Sequence, residues 1–425
     1  MKSHLDKLTP ELKGLMHLAA RTASRNNMRA YLVGGFVRDL ILGIRNLDSD
    51  IVIEGDGVKF AEEFAKALKI TPTCHRRFGT ATCVISGARL KVDIASARKE
   101  FYPRPGELPL VRAGTLQEDL KRRDFTINAM AISINKEDSG RLIDLYEGRN
   151  DLKQKRVRIL HSLSFIDDPT RILRGIRFEQ RYDFRMESET LKCLKEAAKL
   201  KMLDKISPQR IRDELVLILK EEHPIKDLKR IQELVGYSFI HPRLRLRPKA
   251  YNILSSIKNQ IDWFKKKFPR HREPYFWLIY FMRLIWPLNV NDAKSICRKF
   301  VFRKGEERIL LNYKNNIRKI SKKLQQPKMK PSTIFSLLEP LTYEEVIFIK
   351  AAYKSSNIQK YIEEFFGIYN LRRISICGND LKRLGIVPGP EYQKILKRVL
   401  NAKLDGMVKT EEEELALVKK IAGIE

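Results

Sequence analysis

A short apolar run, Ala30 to Val33, stops at Gly34-Gly35 and gives way to helically spaced residues from Phe36 to Leu42, with Gly43 just beyond. Two adjacent glycines end a buried strand in a tight turn, and a glycine after the last periodic residue closes a helix. Asp48-Ser49-Asp50 then runs straight into Ile51-Val52-Ile53, a β-branched run that reads as a strand with two acids at its start. Side chains two apart on a strand share a face, so Asp48 and Asp50 point the same way. Such a pair repels itself unless a cation intervenes, and Mg²⁺ takes a few carboxylates together with waters and phosphate oxygens. A bare Asp-x-Asp is commonly a solvated strand edge. The glycine–helix unit upstream shifts the reading to a metal site, because a helix N-terminus behind glycines also receives phosphate. Gly34, Gly35 and Arg38 are the candidates for holding that phosphate. Asp93, in KVDIA on a later predicted strand, is a candidate third carboxylate; the alternative is an ordinary strand-end Asp.

The rest of the chain divides near residue 160. Before it, strands and helices alternate. Thr9-Pro10 opens a helix to about Asn27, Gly57 to Leu68 is amphipathic, and Thr73–Phe78, Ala81–Ile85 and Leu90–Ile94 read as a strand meander with a Ser86-Gly87 turn. Arg98 to Gly114 carries Pro103, Pro105, Gly106 and Pro109 and reads as an irregular loop. Beyond Asp168 the pattern is helix, short break, helix, so the class is α+β with a mixed sheet in front of an all-helical remainder.

Charge limits the partners. Lys and Arg number 83 against 52 Asp and Glu, a net charge of +31. Self-repulsion of that size makes a polyanion the natural partner. A basic but inert surface and an anionic membrane surface are the alternatives; no apolar run is long enough to span a bilayer. Five scattered cysteines without a CxxC pair, and a start lacking an apolar signal, predict a reducing cytoplasm. No histidines are spaced as a zinc site.

Two further clusters carry chemistry. Arg122, Arg123 and Asp124 stand together at a predicted helix start or turn. Arginines suit triphosphate oxygens, and Asp124 is placed to accept from a ribose hydroxyl or, alternatively, to pair with a neighbouring arginine. Asp168 and Arg171, three apart behind Pro169, share a helix face. One accepts and the other donates hydrogen bonds, which suits the edge of a free nucleobase; a plain helix salt bridge is the alternative. Arg174 and Arg177 continue that helix, facing phosphate or solvent. Arg210 and Glu214, four apart, predict an ion pair that buttresses the pocket. Trp263, Trp277 and Trp286 fall at roughly helical spacing and read as core.

These motifs occur in an order that resembles the class II tRNA nucleotidyltransferase and bacterial poly(A) polymerase family: LVGGFVRDLILGIRNLDSD, KRRDFTINAMAI (121–132), RLIDLYEGRNDLKQKRVRIL, DDPTRILRGIRF (167–178) and SPQRIRDEL (207–215). The segment 378–410 resembles the tail found in many members. The resemblance implies a polymerase-beta-like nucleotidyltransferase head (1–150), a neck that reads the base (151–220), a helical body (221–330) and a helical tail (331–425). It implies catalysis at Asp48, Asp50 and Asp93 with Mg²⁺ on the first two. It places Asp124 and Asn128 near the sugar, and Asp167, Asp168, Arg171 and Arg174 at the nucleotide; Asp167 stands where the family usually has Glu. The implied partners are ATP, CTP or both, and the acceptor arm of tRNA. The segment 98–116 corresponds to a flexible family loop and most resembles that of A-adding and full CCA-adding forms. Poly(A) addition to general RNA, an inactive head serving as an RNA-binding protein, and a small-molecule nucleotidyltransferase are the competing readings.

Overall fold

The computed structural model describes residues 4–85 and 90–424, without the side chains of residues 313 and 315. The predicted Ser86-Gly87 turn lies outside the described residues. Two compact units emerge, Met1–Phe239 and Ile240–Glu425. The boundary falls inside the stretch expected to form the helical body.

The first unit is built on a mixed seven-stranded sheet. Helix α1 (Pro10–Arg25) starts as predicted, with the Thr9 hydroxyl accepting from the Leu12 amide. Strand β1 (Arg29–Val33) leads into α2 (Gly34–Leu42), which Gly43 closes in the left-handed conformation. There follow β2 (Asp48–Glu54), α3 (Gly57–Leu68), β3 (Thr73–His75), β4 (Thr80–Ile85) and β5 (Leu90–Ser96). After them come β6 (Arg98–Phe101), β7 (Leu110–Ala113), α4 (Leu116–Lys121), β8 (Met130–Ser133), β9 (Leu142–Asp144) and α5 (Gly148–Lys153). The sheet order is β3-β4-β5-β2-β1-β8-β9. Only β2 and β5 run parallel; the other pairs are antiparallel.

Register explains where the acids go. Tyr31 pairs with Val52 across β1 and β2, and both join Val33, Ala131, Leu116 and Leu120 in one buried cluster. By strand alternation Asp48 and Asp50 lie on that same face. Asp93 is the direct partner of Asp50 across the parallel pair, so it lies there too. Helix α4 buries Leu116 and Leu120 against this face and ends beside the acids.

The segment 98–114 differs from expectation. It is an antiparallel hairpin, β6 against β7, with Arg98 paired to Ala113 and Phe101 to Leu110. Pro103, Pro105 and Pro109 all fall in the connection. The flanking four-residue runs contain no proline and keep their amide donors for pairing.

Helical structure follows. It comprises β10 (Arg156–Val157), α6 (Ser164–Asp167), α7 (Thr170–Arg181), β11 (Arg185–Met186), α8 (Ser188–Lys199), α9 (Pro208–Leu219) and α10 (Pro224–Leu234). The second unit is helical among the described residues: α11 (Pro248–Lys267), α12 (Phe276–Ile285), α13 (Val290–Lys299), α14 (Lys304–Leu324), α15 (Pro331–Leu338), α16 (Tyr343–Ala352), α17 (Ser356–Gly367), α18 (Gly378–Arg383), α19 (Pro390–Leu404) and α20 (Glu411–Ala422). Trp277 is core, as predicted, whereas Trp286 is only half-buried. Among the described residues no helix is long and apolar enough to cross a membrane.

The seam between α5 and the sheet tolerates no side chain at Gly148. A Cβ there would overlap the Thr126 carbonyl oxygen and stand 2.9 Å from the Met130 Cγ. Gly148→Ala should therefore destabilise the first unit by about 2 kcal/mol, the usual scale of overpacking, read as a lower urea midpoint.

Candidate active site

A cavity of about 570 Å³ opens beside the glycine turn, lined by residues from β2, the β6–β7 hairpin, the end of α4, α7 and α9. Gly34 sits at φ +69°, and a Cβ there would be 2.7 Å from Arg123 Nη1 and 3.7 Å from Asp50 Oδ2. The missing side chain thus lets a guanidinium pass close to the acid, a role beyond phosphate approach. Asp48 is exposed and Asp50 partly covered. Burial pushes the Asp50 carboxyl up to about 6; Asp93 and Asp48 add to the rise, and Arg123 and Lys91 oppose it. Burial, more than repulsion from Asp93 and Asp48, makes the Asp50 carboxylate costly to ionise, and a divalent cation beside it would relieve that cost. Asp93 itself is held by the Thr82 hydroxyl at 2.6 Å and the Lys91 ammonium at 2.5 Å. Among the described residues no three His, Cys, Asp or Glu side chains are grouped to hold a metal, and Asp93 is taken up by Thr82 and Lys91.

The two arginines at the end of α4 are fixed from below. Asp119, fully buried, accepts from Arg122 Nε and Nη2 through one oxygen and from Arg123 Nη2 through the other, at 2.7–2.9 Å. Burial alone would raise its pKa, but Arg123 and Arg122 pull it below the ordinary value. Arg122 Nη1 also donates to Glu100 at 2.9 Å. Glu100 in turn accepts from Arg98 and from the Tyr102 hydroxyl. Asp119 and Glu100 were not singled out from sequence. The i+3 and i+4 spacing from Asp119 to Arg122 and Arg123 was the available signal for the first.

A second relay runs across the cavity floor. Arg38 Nη1 donates to Asn128 Oδ1 at 2.6 Å, and Asn128 Nδ2 donates to Asp124 Oδ1 at 2.9 Å. Arg38 is also bonded to Asp39 and lies over the rings of Phe178 and Tyr182. It lines the cavity, but with its guanidinium committed to protein partners. Asp124 takes Arg174 Nε and Nη2 on Oδ2 at 3.0 and 2.7 Å, and the Phe125 amide on Oδ1. Each carboxylate oxygen therefore receives two donors, leaving no open lone pair for a ribose hydroxyl. Its arginine partner comes from fifty residues downstream, not from a neighbour. Burial would raise the Asp124 pKa, but Arg174 and Asn128 outweigh it and hold the group at about 2. Arg174 continues to Glu214, which also takes Arg177. Arg177 is therefore a buried network residue, neither a solvated face nor a free phosphate ligand.

Asp168 and Arg171 both line the cavity but do not bond each other. Asp168 precedes α7 in extended backbone at φ −130°, so the expected i,i+3 helix pair does not form. Its Oδ1 caps Thr170 and accepts Arg210 Nη2 at 2.8 Å, while among the described residues Oδ2 accepts no hydrogen bond. Arg171 donates to the Ser164 hydroxyl at 2.6 Å and to the Arg122 carbonyl at 2.8 Å. The expected Arg210–Glu214 pair is likewise replaced: Arg210 reaches back to Asp168, and Glu214 serves Arg174 and Arg177. Asp167 does not line the cavity. It ends α6, its carboxylate 3.9 Å from His161 Nδ1, because the backbone swings to extended one residue later.

The poly(A) polymerase head domain family matches residues 30–158, and the family described as the probable RNA and SrmB-binding site of polymerase A matches residues 183–245. The A-adding tRNA nucleotidyltransferase of Geobacter sulfurreducens is 37% identical over 99% of this chain and 48% of its own length. The A-adding tRNA nucleotidyltransferase of Halalkalibacterium halodurans is 32% identical over 97% of this chain and 93% of its own. The chain thus spans about half the length of the first relative and nearly all of the second. A solved CCA-adding enzyme in an apo form superposes with a TM-score of 0.80 at 34% identity, covering 99% of this chain and 97% of that one.

The Asp124–Arg174 pair sets an acid limit. The folded pKa lies below the ordinary value near 3.9, so its stabilisation is complete above about pH 4 and fades as pH falls towards 2. Arg174→Met strands a buried carboxylate and should cost about 3 kcal/mol at pH 7. Its acid-unfolding midpoint should also move upward, measured by circular dichroism against pH.

Proposed function

We propose, for a chain that belongs to the tRNA nucleotidyltransferase and poly(A) polymerase family, the template-independent transfer of nucleotides to the 3′ end of tRNA with release of pyrophosphate. The observation that carries it is one cavity lined both by Asp50 of β2 and by an arginine-rich wall, with an open carboxylate oxygen on Asp168. The two relatives above are both named A-adding, which favours AMP transfer from ATP to a tRNA ending in CC. Likeness to a CCA-adding enzyme keeps full CCA addition from CTP and ATP as the second reading.

Asp48 and Asp50 hold the metal in this reading, and Mg²⁺ is the ion their hard oxygens suit. When bound, it supplies charge neutralisation at the attacking hydroxyl and the leaving pyrophosphate. Arg123, steadied by Asp119 and passing over Gly34, faces the same carboxylates and holds triphosphate oxygens. The amides at the start of α2 offer further donors to those oxygens. Asp168 Oδ2 accepts from an exocyclic amine of the base, and Arg171 borders the opposite edge. An amine donor is common to adenine and cytosine, so the set can accept either base. Asp124 and Asn128 position Arg38 and Arg174 around the sugar instead of bonding it through a free carboxylate. The basic helices hold the RNA backbone, with binding that weakens steeply as salt rises. In this reading the chain divides into a catalytic head, a neck, a helical body and a helical tail, and it acts in the cytoplasm.

The test uses three tRNA transcripts, ending at the discriminator base, at C and at CC, each with Mg²⁺ and with CTP, ATP or both. Extension of the CC-ended transcript alone by one A supports A addition, and completion of all three supports the second reading. No extension of any transcript removes the proposal. Asp48→Ala should lower the addition rate on the order of 10²–10³-fold or more while leaving tRNA affinity within about twofold. Retained activity would reassign the metal site. Arg210→Leu frees Asp168 from its anchor, and kcat/KM for ATP should fall by roughly tenfold in steady-state addition assays, the scale of one lost charged hydrogen bond.

A further inference from the structure

The second unit contains a cavity of about 320 Å³ lined by Trp286, Leu288, Asn289, Val290, Lys314 and Arg318 among others. Lys314 and Arg318 are four apart on α14, so they share a face. Both stand over the Trp286 indole, at 5.9 and 5.5 Å from a ring centroid. The indole packs on its other contacts against Phe348 at 5.4 Å. Lys314 is pinned by the carbonyls of Trp286 and Leu288, which fixes the ammonium at the cavity wall. Asn289 caps α13 by accepting from the Asp292 amide, so the first turn of that ten-residue helix opens beside the same space.

The local charge is unbalanced. Arg318, Arg283 and Asp292 all act on Lys314: burial and the two arginines push its ammonium down to about 8 against the pull of Asp292. Asp292 is itself engaged by Arg243 and lies 3.6 Å from His241. Arg318 is exposed, and no carboxylate among the described residues lies within salt-bridge distance of it. Cations gathered on an aromatic plate at a helix start, with one acid already engaged, form a seat that a bound anion would complete.

We propose that this cavity seats a backbone phosphate of the RNA substrate, between Lys314, Arg318 and the first turn of α13. The site rests on the reading that the substrate is RNA. It lies outside residues 183–245, the segment matched by the RNA-binding family. The indole's task is to orient the guanidinium, which leaves its donors free to meet a phosphate oxygen. An RNA backbone suits this better than an isolated small anion, because the net charge of +31 favours a chain of phosphates over a single one.

The experiment is a fluorescence-anisotropy titration of a labelled tRNA transcript against the full chain between about 50 and 200 mM KCl. Each phosphate contact contributes about one to the slope of log K against log salt. Arg318→Gln should weaken binding about three- to tenfold at low salt and reduce the slope by about one. Arg318→Lys should keep the slope and lose less affinity. Trp286→Leu should weaken binding with Arg318 still present, because the guanidinium loses its plate; thermal melts confirm that each variant is folded. Wild-type slope and affinity in Arg318→Gln would overturn the site, as would an affinity loss with no change in slope. A wild-type chain that binds tRNA with this salt signature yet adds no nucleotide would sink the reaction proposed above and leave this site standing. A chain that adds nucleotides but whose slope ignores residue 318 would do the reverse.

Discussion

The first unit depends on buried carboxylates that hold arginines drawn from distant parts of the chain. Asp119 and Asp124 are both nearly free of solvent, and between them they fix Arg122, Arg123 and Arg174. A buried carboxylate is costly unless every lone pair is met. Asp124 meets that condition with four donors, and Asp119 takes three from two arginines. The geometry is therefore all-or-none: a guanidinium cannot drift without stranding a charge. Arg174 belongs to α7 and Asp124 follows α4, so the pair ties the sheet to the helices beyond residue 160. The same bond that satisfies Asp124 sets the position of the helix carrying Arg171.

Much of this was legible from the sequence. The strand, glycine turn and helix from Ala30 to Gly43 are local features, and they appear where the spacing put them. The common face of Asp48 and Asp50 follows from strand alternation alone. What was not legible were the partners. Spacing of three or four on a helix placed Asp168 beside Arg171 on one face and paired Arg210 with Glu214, yet both acids bond other arginines. Asp168 fails to join α7 because its carboxylate caps Thr170 instead, and a residue acting as a cap is outside the helix whose periodicity it seems to share. Arg210 and Glu214 do lie on one helix, but an i,i+4 pair is worth only a few tenths of a kcal/mol. Buried partners waiting across the cavity outcompete it.

The hairpin at 98–114 shows the same limit from the other side. Its prolines argued for irregular backbone, and the connection between the strands is where they fall. Only pairing between residues a dozen apart, invisible to local propensity, makes strands of the flanks. Those flanks matter, because Glu100 accepts from Arg122 and places the Tyr102 hydroxyl on the cavity wall.

This hairpin also links two parts of the cavity that would otherwise be independent. Its turn is tied down by the Gly106 amide, which donates to the Asp167 carbonyl at 3.2 Å. A Cβ on Gly106, at φ +78°, would stand 3.0 Å from the Lys205 carbonyl oxygen. One end of the hairpin thus grips the segment that presents Asp168, while its strand holds Arg122 through Glu100. Arg122 closes the loop, since its carbonyl receives Arg171. Asp168, Arg171 and the arginine wall are therefore parts of one hydrogen-bonded circuit running through backbone as well as side chains. Backbone links accept almost any side chain. That explains why Asp167, which stands outside the cavity, can still bear on it through its carbonyl oxygen, and why its shorter carboxylate need not disturb the geometry beside it.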